Sequence, residues 1–415
     1  MRLLKLGVYH PTYLRQFYDA RPALSSQPYS VQHAALIEDC YGSSDFWTNA
    51  LTDLGYETCD TIANAEPLQK RWAEERGVGS SADGWLFEIT AAQVEAFRPD
   101  VLLVADYSTF DAAFIERLRG QCPSLRLLLG WCGAPYNDAS VFRAWDIVLS
   151  CVPEMVEQFR RDGHHSHHIN HAFDPRVLKQ IDLTVQPSAD FVFIGSVLKQ
   201  NQFHVEREKI LLQLIEETSL EIWSDIGHPS RREPRGANAR RLAFDTVRAA
   251  RAVGVPESFL TATPLLRRVA HHNSHAASSQ AVDERIARRA RTPLFGLPMF
   301  QQLHDSRVAL NTHIDISPRS ASNMRLFEAT GVGTCLLTDW KANLPQLFEP
   351  DAEVLTYNSA AECVEKVRYI LDHEDERRAI AIAGQRRTLR HHTFATRAAR
   401  IDEIIRAALS KRGRA

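Results

Sequence analysis

The chain contains 415 residues, of which 44% are hydrophobic and 24% are charged, and its formal net charge is −2. This composition is typical of a globular protein with two or three domains, and it excludes a nucleic-acid or membrane function argued from overall charge. No apolar run reaches the roughly 20 residues that a membrane-spanning helix needs, so we expect any membrane contact to be peripheral. Seven cysteines without a Cys-x-x-Cys pair favour reduced thiols in the cytoplasm over a disulfide framework.

Short apolar runs alternate with helical patterns through the first 174 residues. The first predicted strand spans residues 3–9 and ends at His10 and Pro11. Further strands are predicted at residues 56–62, 101–105, 127–131, 147–151 and 166–170. This alternation predicts a parallel, doubly wound α/β sheet, in which ligands bind at the carboxyl ends of the strands.

An aromatic and polar stretch follows the first strand. It includes Tyr13, Phe17 and Tyr29 and is interpreted as a loop of about thirty residues, a length that usually has a function. Sugars stack on aromatic faces, so one interpretation is a loop that binds an acceptor molecule containing sugar. The other is that the aromatic side chains simply pack the loop onto its domain. His10, at the end of the first strand, is the candidate catalytic base, although a lone histidine there is more often structural.

A histidine cluster at residues 164–175 resembles a zinc motif at first sight. Zinc-binding histidines usually lie four apart on a helix or join cysteine and carboxylate ligands at defined spacing. Here part of the cluster is predicted to form a strand, where successive side chains face opposite ways. The sequence therefore predicts structural or surface histidines and no metal site.

A strand at residues 191–194 runs directly into Gly195 and Ser196, and a helix is predicted from about residue 205. A strand, a glycine turn and a helix form the unit that cradles phosphate groups, although one Gly-Ser pair is a weak signal. Lys199 and Arg207 are the basic side chains expected to reach a pyrophosphate from this side.

Residues 228–292 contain thirteen Arg, no Lys and five acidic residues. We interpret them as a helical insertion in the second domain. It is expected to act as a lid, an oligomer contact or a dock for an anionic acceptor, unless it is simply a set of solvated helices. Nucleic-acid binding is disfavoured because only Phe244 and Phe259 are available to stack on bases.

The most informative stretch is residues 311–337. A strand ends at Asn311, a serine-rich loop follows, and a short helix is predicted over residues 323–330, followed by a Gly-Val-Gly turn and another strand. Asn323 is the predicted N-cap of this helix. Arg325 in the first turn opposes the helix dipole, which indicates that it pairs with an anion, and Glu328 lies on the same face.

These residue types suit a nucleoside diphosphate. The amides at the start of the helix (Asn323 and Met324) and Arg325 would hold phosphate, and Glu328 would accept ribose hydroxyl groups. Asn311 and His313, after the strand, are predicted to contact the donor sugar or phosphate. The alternative is an ordinary helix with a surface Arg–Glu pair.

The same segment resembles the nucleotide-binding core of GT-B glycosyltransferases, in particular group 1 transferases of the CgeB-like type. The matching residues are Asn323, Arg325, Phe327, Glu328, Ala329, Gly331 and Gly333. Ser320 stands where many retaining group 1 enzymes have a second Glu. The resemblance implies two Rossmann-like domains facing a cleft: an acceptor domain at residues 1–174, a nucleotide-sugar domain at 175–395 with the 228–292 insertion, and a final helix at 396–415 that crosses back.

The resemblance also implies a function. The expected activity is transfer of a sugar from a nucleotide-diphosphate sugar to a glycan, lipid-linked or other hydroxyl acceptor, as in polysaccharide biosynthesis. No cofactor and no metal are expected, and a homo-oligomer is left open. Two alternatives remain: a nucleotide-sugar epimerase of the same architecture, and a nucleotide-binding protein without catalytic activity.

Overall fold

The computed structural model describes residues 1–136, 139–197, 204–226 and 282–412. Within these ranges twelve strands form two sheets of six strands each, and every pair of neighbouring strands is parallel. The predicted α/β fold with two doubly wound parallel sheets is confirmed.

The first sheet has the strand order β2-β1-β3-β4-β5-β6. Its strands are β1 (Arg2–Gly7), β2 (Glu57–Ile62), β3 (Val101–Val104), β4 (Leu127–Trp131), β5 (Ile147–Ser150) and β6 (Ser166–His168). The helices of this first domain are α1 (Pro11–Asp19), α2 (Tyr29–Glu38), α3 (Phe46–Thr52), α4 (Glu66–Glu75), α5 (Trp85–Phe97), α6 (Ala112–Gln121) and α7 (Pro153–Arg161). Central strands such as β3 are buried along their whole length because helices cover both faces of the sheet.

The second sheet has the order β12-β11-β10-β7-β8-β9. Its strands are β7 (Ala189–Ile194), β8 (Leu220–Trp223), β9 (Ala290–Arg291), β10 (Ser306–Asn311), β11 (Cys335–Asp339) and β12 (Leu355–Tyr357). The remaining helices are α8 (Val205–Glu217), α9 (Glu284–Arg289), α10 (Gly296–His304), α11 (Arg325–Gly331), α12 (Leu344–Leu347), α13 (Ala360–Asp372), α14 (Glu374–His391) and α15 (Phe394–Arg412). No helix in the described ranges is long and apolar enough to cross a membrane.

The aromatic stretch after β1 is helical, so its interpretation as a long loop was wrong. Helices α1 and α2 occupy most of it, and Tyr13 and Phe17 are buried on the inner face of α1. Strand β1 already ends at Gly7, before the predicted end at residue 9, and Pro11 occupies the first turn of α1, where its missing N–H costs nothing. The sequence signal for this helix was the His-Pro pair, with His10 as the N-cap.

Most of the predicted Arg-rich insertion lies outside the described residues. Its described end contains a helix, α9, followed by β9, which pairs with β8 at the edge of the second sheet. The insertion was therefore predicted to extend too far, because Ala290 and Arg291 belong to the sheet.

The chain passes between the two domains at two places that touch each other. Phe173 donates its backbone N–H to the carbonyl of His392, and Phe394 donates its own to the carbonyl of Phe173. Helix α15 then lies on α3, where the ring of Phe394 is 4.9 Å from that of Trp47. The last helix of the chain thus covers an apolar face of the first domain.

A third contact between the domains involves Phe295, the N-cap of α10, and Gly296, the first residue of that helix. The Phe295 ring lies edge-on to Tyr13 and Tyr41 of the first domain. Gly296 has φ +56°, and a Cβ atom there would lie 2.2 Å from the Asp39 carboxylate. Glycine is required at this position for both reasons.

Asp39 gives a test of this interface. Burial raises the pKa of its carboxyl from 3.8 to about 6, although Arg21 lies 3.5 Å away. Because the folded state holds this proton more tightly than the unfolded chain, the contribution of Asp39 to stability is lost as the pH rises through this window. The Asp39→Asn variant should therefore gain thermal stability relative to the wild type at about pH 8, and much less at about pH 5.

Differential scanning calorimetry at both pH values measures the effect, with the exposed Asp19→Asn as the control. A difference in melting temperature that does not change with pH would show that Asp39 does not titrate in this window.

Candidate functional site

The candidate site lies where the strand order of the second sheet reverses. Strands β7 and β10 are neighbours, but the chain leaves β7 towards β8 and leaves β10 towards β11. The connections after these two strands therefore diverge and open a crevice at their carboxyl ends, which is where open α/β sheets bind ligands. Ser196 follows β7, Asn311 is the last residue of β10, and His313 lies two residues beyond it; α11 begins at the same edge.

Arg325 and Glu328 form a buried ion pair in this crevice. Arg325 Nη1 lies 2.9 Å from Glu328 Oε2, and the two side chains are only 14% and 8% exposed. Nη2 donates to the backbone carbonyl of Ile194 at the end of β7, at 3.0 Å. The pair is thus not the surface ion pair of an ordinary helix.

Burial shapes the chemistry of this pair. It raises the pKa of Glu328, while the Arg325 charge opposes that shift. Arg325 Nε is buried and has no hydrogen-bond partner within the described ranges. A buried donor without a partner in a native fold calls for an explanation such as a missing ligand. The roles predicted for Arg325 on phosphate and for Glu328 on ribose stay predictions.

Asn323 does not cap α11, contrary to the sequence analysis. The helix begins at Arg325, and Met324 is the N-cap residue, without a side-chain cap hydrogen bond. Asn323 instead exchanges amide hydrogen bonds with Asn311, at 2.7 and 3.2 Å. Asn311 also donates to Thr338 at the end of β11, so its side chain joins two strand ends. The side-chain oxygen of Asn323, which a helix cap would need, accepts from Asn311 in this pairing.

Arg207 holds the two diverging connections together. Its Nη1 donates to the carbonyl of Ser196 and its Nη2 to the carbonyl of Thr312, both at 2.7 Å. Burial lowers the pKa of Arg207 to about 10, so it remains charged at neutral pH. Arg207 acts as a clamp at the crevice, while its contact with a pyrophosphate stays a prediction. Gly195 lies against the Phe193 ring, and Lys199 lies outside the described residues.

His313 lies in a small polar network that the sequence analysis missed in part. Its Nδ1 is 2.6 Å from Asp339 Oδ1, and Lys341 Nζ is 3.1 Å from Asp339 Oδ2. Burial raises the pKa of Asp339, but His313 and Lys341 outweigh it and hold that pKa at about 2. An acidic residue at the last position of a buried strand was the signal that could have identified Asp339.

His10 faces the second domain from the end of the first sheet. Its Nδ1 accepts a hydrogen bond from the Thr12 N–H at 3.3 Å, and its ring stacks on Phe295 at 5.9 Å. While Nδ1 caps α1, a neutral imidazole carries its proton on Nε2. His10 could therefore take a proton from a substrate only by giving up its cap, and its role as base stays a prediction.

The connection after β10 also touches the first domain. Ile316 packs on the apolar cluster that contains Tyr136, and Arg319 Nε lies 3.8 Å from the Glu154 carboxylate in the first turn of α7. Asp315, in the same connection, accepts the N–H of Val205 and so caps α8. One short segment therefore links the candidate site to both domains.

Comparisons with known proteins concern the family and the fold. Residues 261–403 match the family model described as "Glycosyl transferase-like". The fold is similar to that of sucrose-phosphate synthase from Thermosynechococcus elongatus, at 11% identity and a TM-score of 0.52, covering 99% of this chain and 100% of the other. HepE of Anabaena, solved in complex with UDP-glucose, gives 11% identity and a TM-score of 0.52, covering 98% and 100%.

AviGT4, a glycosyltransferase involved in avilamycin A biosynthesis, is also similar, at 12% identity and a TM-score of 0.51 over 99% of this chain and 98% of the other. The fold is GT-B. No curated protein matches the sequence. The crevice between β7 and β10 lies in the second of the two sheets.

The Arg207 clamp can be tested through stability. Arg207→Met keeps most of the side-chain volume but removes the charged donor from the carbonyl groups of Ser196 and Thr312. Hydrogen bonds from a charged donor contribute about 1.5–3 kcal/mol each, while the buried cation itself opposes folding, so the free energy of unfolding should fall by roughly 2–4 kcal/mol. Urea unfolding measures this change in the free energy of unfolding.

Lys209→Met, an exposed position on the same helix α8, is the matched control and should change little. Equal stability of the Arg207 variant and the wild type would contradict the clamp.

Proposed function

We propose that this protein is a glycosyltransferase that moves a sugar from a nucleotide-diphosphate sugar to a hydroxyl group of an acceptor. The observation that carries the proposal is the buried Arg325–Glu328 pair at the strand-order reversal, with an unpartnered Arg325 Nε among the described residues. A cation and a carboxylate held beside one another fit a diphosphate and a ribose, respectively. The GT-B fold and the family match support the reaction class.

The leaving diphosphate gains charge in the transition state of such a transfer, and fixed positive groups near it lower the barrier. Arg325 is assigned this task, assisted by Lys199 or Arg207. Transfer without a metal ion is part of the proposal and is tested by activity in the presence of a chelator. In this proposal, neither the departure of the diphosphate nor the transfer of the sugar requires a cofactor beyond the nucleotide sugar itself.

The acceptor is proposed to bind on the first domain near His10, whose ring packs on Phe295 of the second domain. A glycan or a lipid-linked sugar fits this proposal, as does a role in polysaccharide biosynthesis. Membership of the CgeB-like group and a cytoplasmic location remain part of the proposal. The location is supported by seven cysteines that are all free thiols.

The first experiment is a thermal-shift panel with UDP, GDP, ADP, dTDP and their sugar conjugates. A ligand that binds only the folded protein raises its melting temperature. UDP is the first choice because HepE, a structural neighbour, binds UDP-glucose. Failure of every nucleotide to shift the melting temperature would overturn the proposal.

Substitution of Glu328 tests the ribose assignment. Glu328→Gln should weaken the binding of the best nucleoside diphosphate by about 1–2 kcal/mol, because a charged hydrogen-bond acceptor is replaced by a neutral one. Isothermal calorimetry measures it, with the exposed Glu217→Gln as the matched control. An affinity equal to that of the wild type would reject the assignment.

Arg325 and Glu328 neutralise one another, so a single substitution leaves one buried charge unpaired. The double variant Arg325→Met/Glu328→Gln removes both charges and separates lost binding from lost folding. Its melting temperature should be close to that of the wild type, and its affinity for nucleotide should be lower than that of Glu328→Gln alone.

Substitution of His10 tests the base. His10→Ala should abolish sugar transfer while the nucleotide affinity stays within about twofold, since His10 lies on the other domain. Turnover assays and calorimetry on the same preparation separate the two effects. Full turnover in this variant would remove His10 from the mechanism.

A further inference from the structure

The His313 imidazole is fixed by its neighbours more firmly than a structural role requires. Its side chain is fully buried, and Nδ1 lies 2.6 Å from Asp339 Oδ1. The same carboxylate oxygen accepts the His313 backbone N–H at 3.0 Å, so two bonds from one residue set the position of the ring. The other oxygen, Oδ2, accepts from Lys341 at 3.1 Å.

These contacts decide which ring nitrogen carries the proton. Burial raises the pKa of Asp339, but its contacts with His313 and Lys341 bring it down to about 2, so the carboxylate is ionised at neutral pH. An ionised carboxylate accepts hydrogen bonds and cannot donate them. His313 therefore donates from Nδ1, which leaves Nε2 as the ring nitrogen that can bond to a ligand.

Nε2 has no partner within the described ranges although it is buried. A buried polar atom without a partner is uncommon in native proteins and indicates a ligand or an ordered water. The position of the ring favours a ligand over an ordered water, because His313 lies two residues beyond β10 in the crevice described above. Asn311, on the strand end next to it, is already paired with Asn323 and Thr338.

The hydrogen-bonding chemistry of Nε2 favours one ligand group. Sugar hydroxyl groups both donate and accept hydrogen bonds and can pair with Nε2 in either of its forms, whereas phosphate oxygens at neutral pH only accept. We propose that His313, held by Asp339, forms a hydrogen bond with a hydroxyl group of the sugar carried by the nucleotide. This inference rests on the proposed function and names His313 as the residue that recognises the transferred sugar.

Asp339 is then a positioning residue that acts through His313. It orients the ring and fixes the tautomer, in the way that carboxylates hold histidines in other active sites. Lys341 binds the second oxygen and keeps the carboxylate ionised.

The test compares UDP with UDP-glucose, UDP-galactose and UDP-N-acetylglucosamine by isothermal calorimetry. His313→Leu removes the hydrogen-bonding Nε2 atom and keeps a similar side-chain volume. It should weaken binding of at least one UDP-sugar by about tenfold and leave UDP within about twofold. His313→Gln, whose amide reaches the position of Nε2, should retain most of the affinity and guards against a folding defect in the leucine variant.

Two variants of Asp339 form the second part of the test. Asp339→Asn keeps an oxygen that accepts from Nδ1–H, so it should preserve the preference for the UDP-sugar over UDP in large part. Asp339→Ala should lose that preference as His313→Leu does. His304→Leu, at a half-buried histidine bonded to the Val332 carbonyl, is the matched control and should bind all ligands as the wild type does.

Two results would overturn the inference. Equal weakening of UDP and the UDP-sugars would place His313 on the nucleotide, and unchanged affinities throughout would leave it without a ligand. Failure of the proposed function looks different, because the wild type itself would then bind none of the nucleoside diphosphates and nucleotide sugars of the thermal-shift panel.

Discussion

Two buried guanidinium groups hold the candidate site together. Arg207 joins the connections after β7 and β10, and Arg325 joins α11 to the end of β7. Both bind backbone carbonyl groups, which carry only partial charge. A cation in such a place is costly unless its donors are satisfied, and burial accordingly lowers the pKa of Arg207. The strand ends are therefore fixed in position before any ligand arrives.

Carboxylates offset these cations from nearby positions. Glu328 pairs with Arg325, Asp339 pairs with His313 and Lys341, and the Asp339 charge also favours the cationic form of Arg207. The site is thus a network in which most polar atoms already have partners. The two that do not, Arg325 Nε and His313 Nε2, are the described atoms in this network that a bound molecule would satisfy. A site arranged in advance in this way loses little conformational freedom when it binds.

The sequence predicted the sheets well because buried parallel strands have a simple pattern of continuous apolar residues between helices. It predicted α11 and the Arg325–Glu328 pair because they are close in the chain. It failed where distant residues compete for the same group: Asn323 was expected to cap α11, but Asn311, twelve positions away, takes its amide. His313 and Asp339 are 26 positions apart, and only the register of β10 and β11 brings them together. The aromatic helix α1 was missed because its starting proline was interpreted only as the end of a strand.

The contact between α15 and α3 has a consequence for how the protein is made. Phe46 and Trp47 of the first domain meet Phe394, which the ribosome adds about 350 residues later. At synthesis rates of roughly 5–20 residues per second this separation corresponds to roughly 20–70 seconds. During that interval the nascent first domain exposes an apolar face, so we expect it to depend on chaperones until the final helix has left the ribosome.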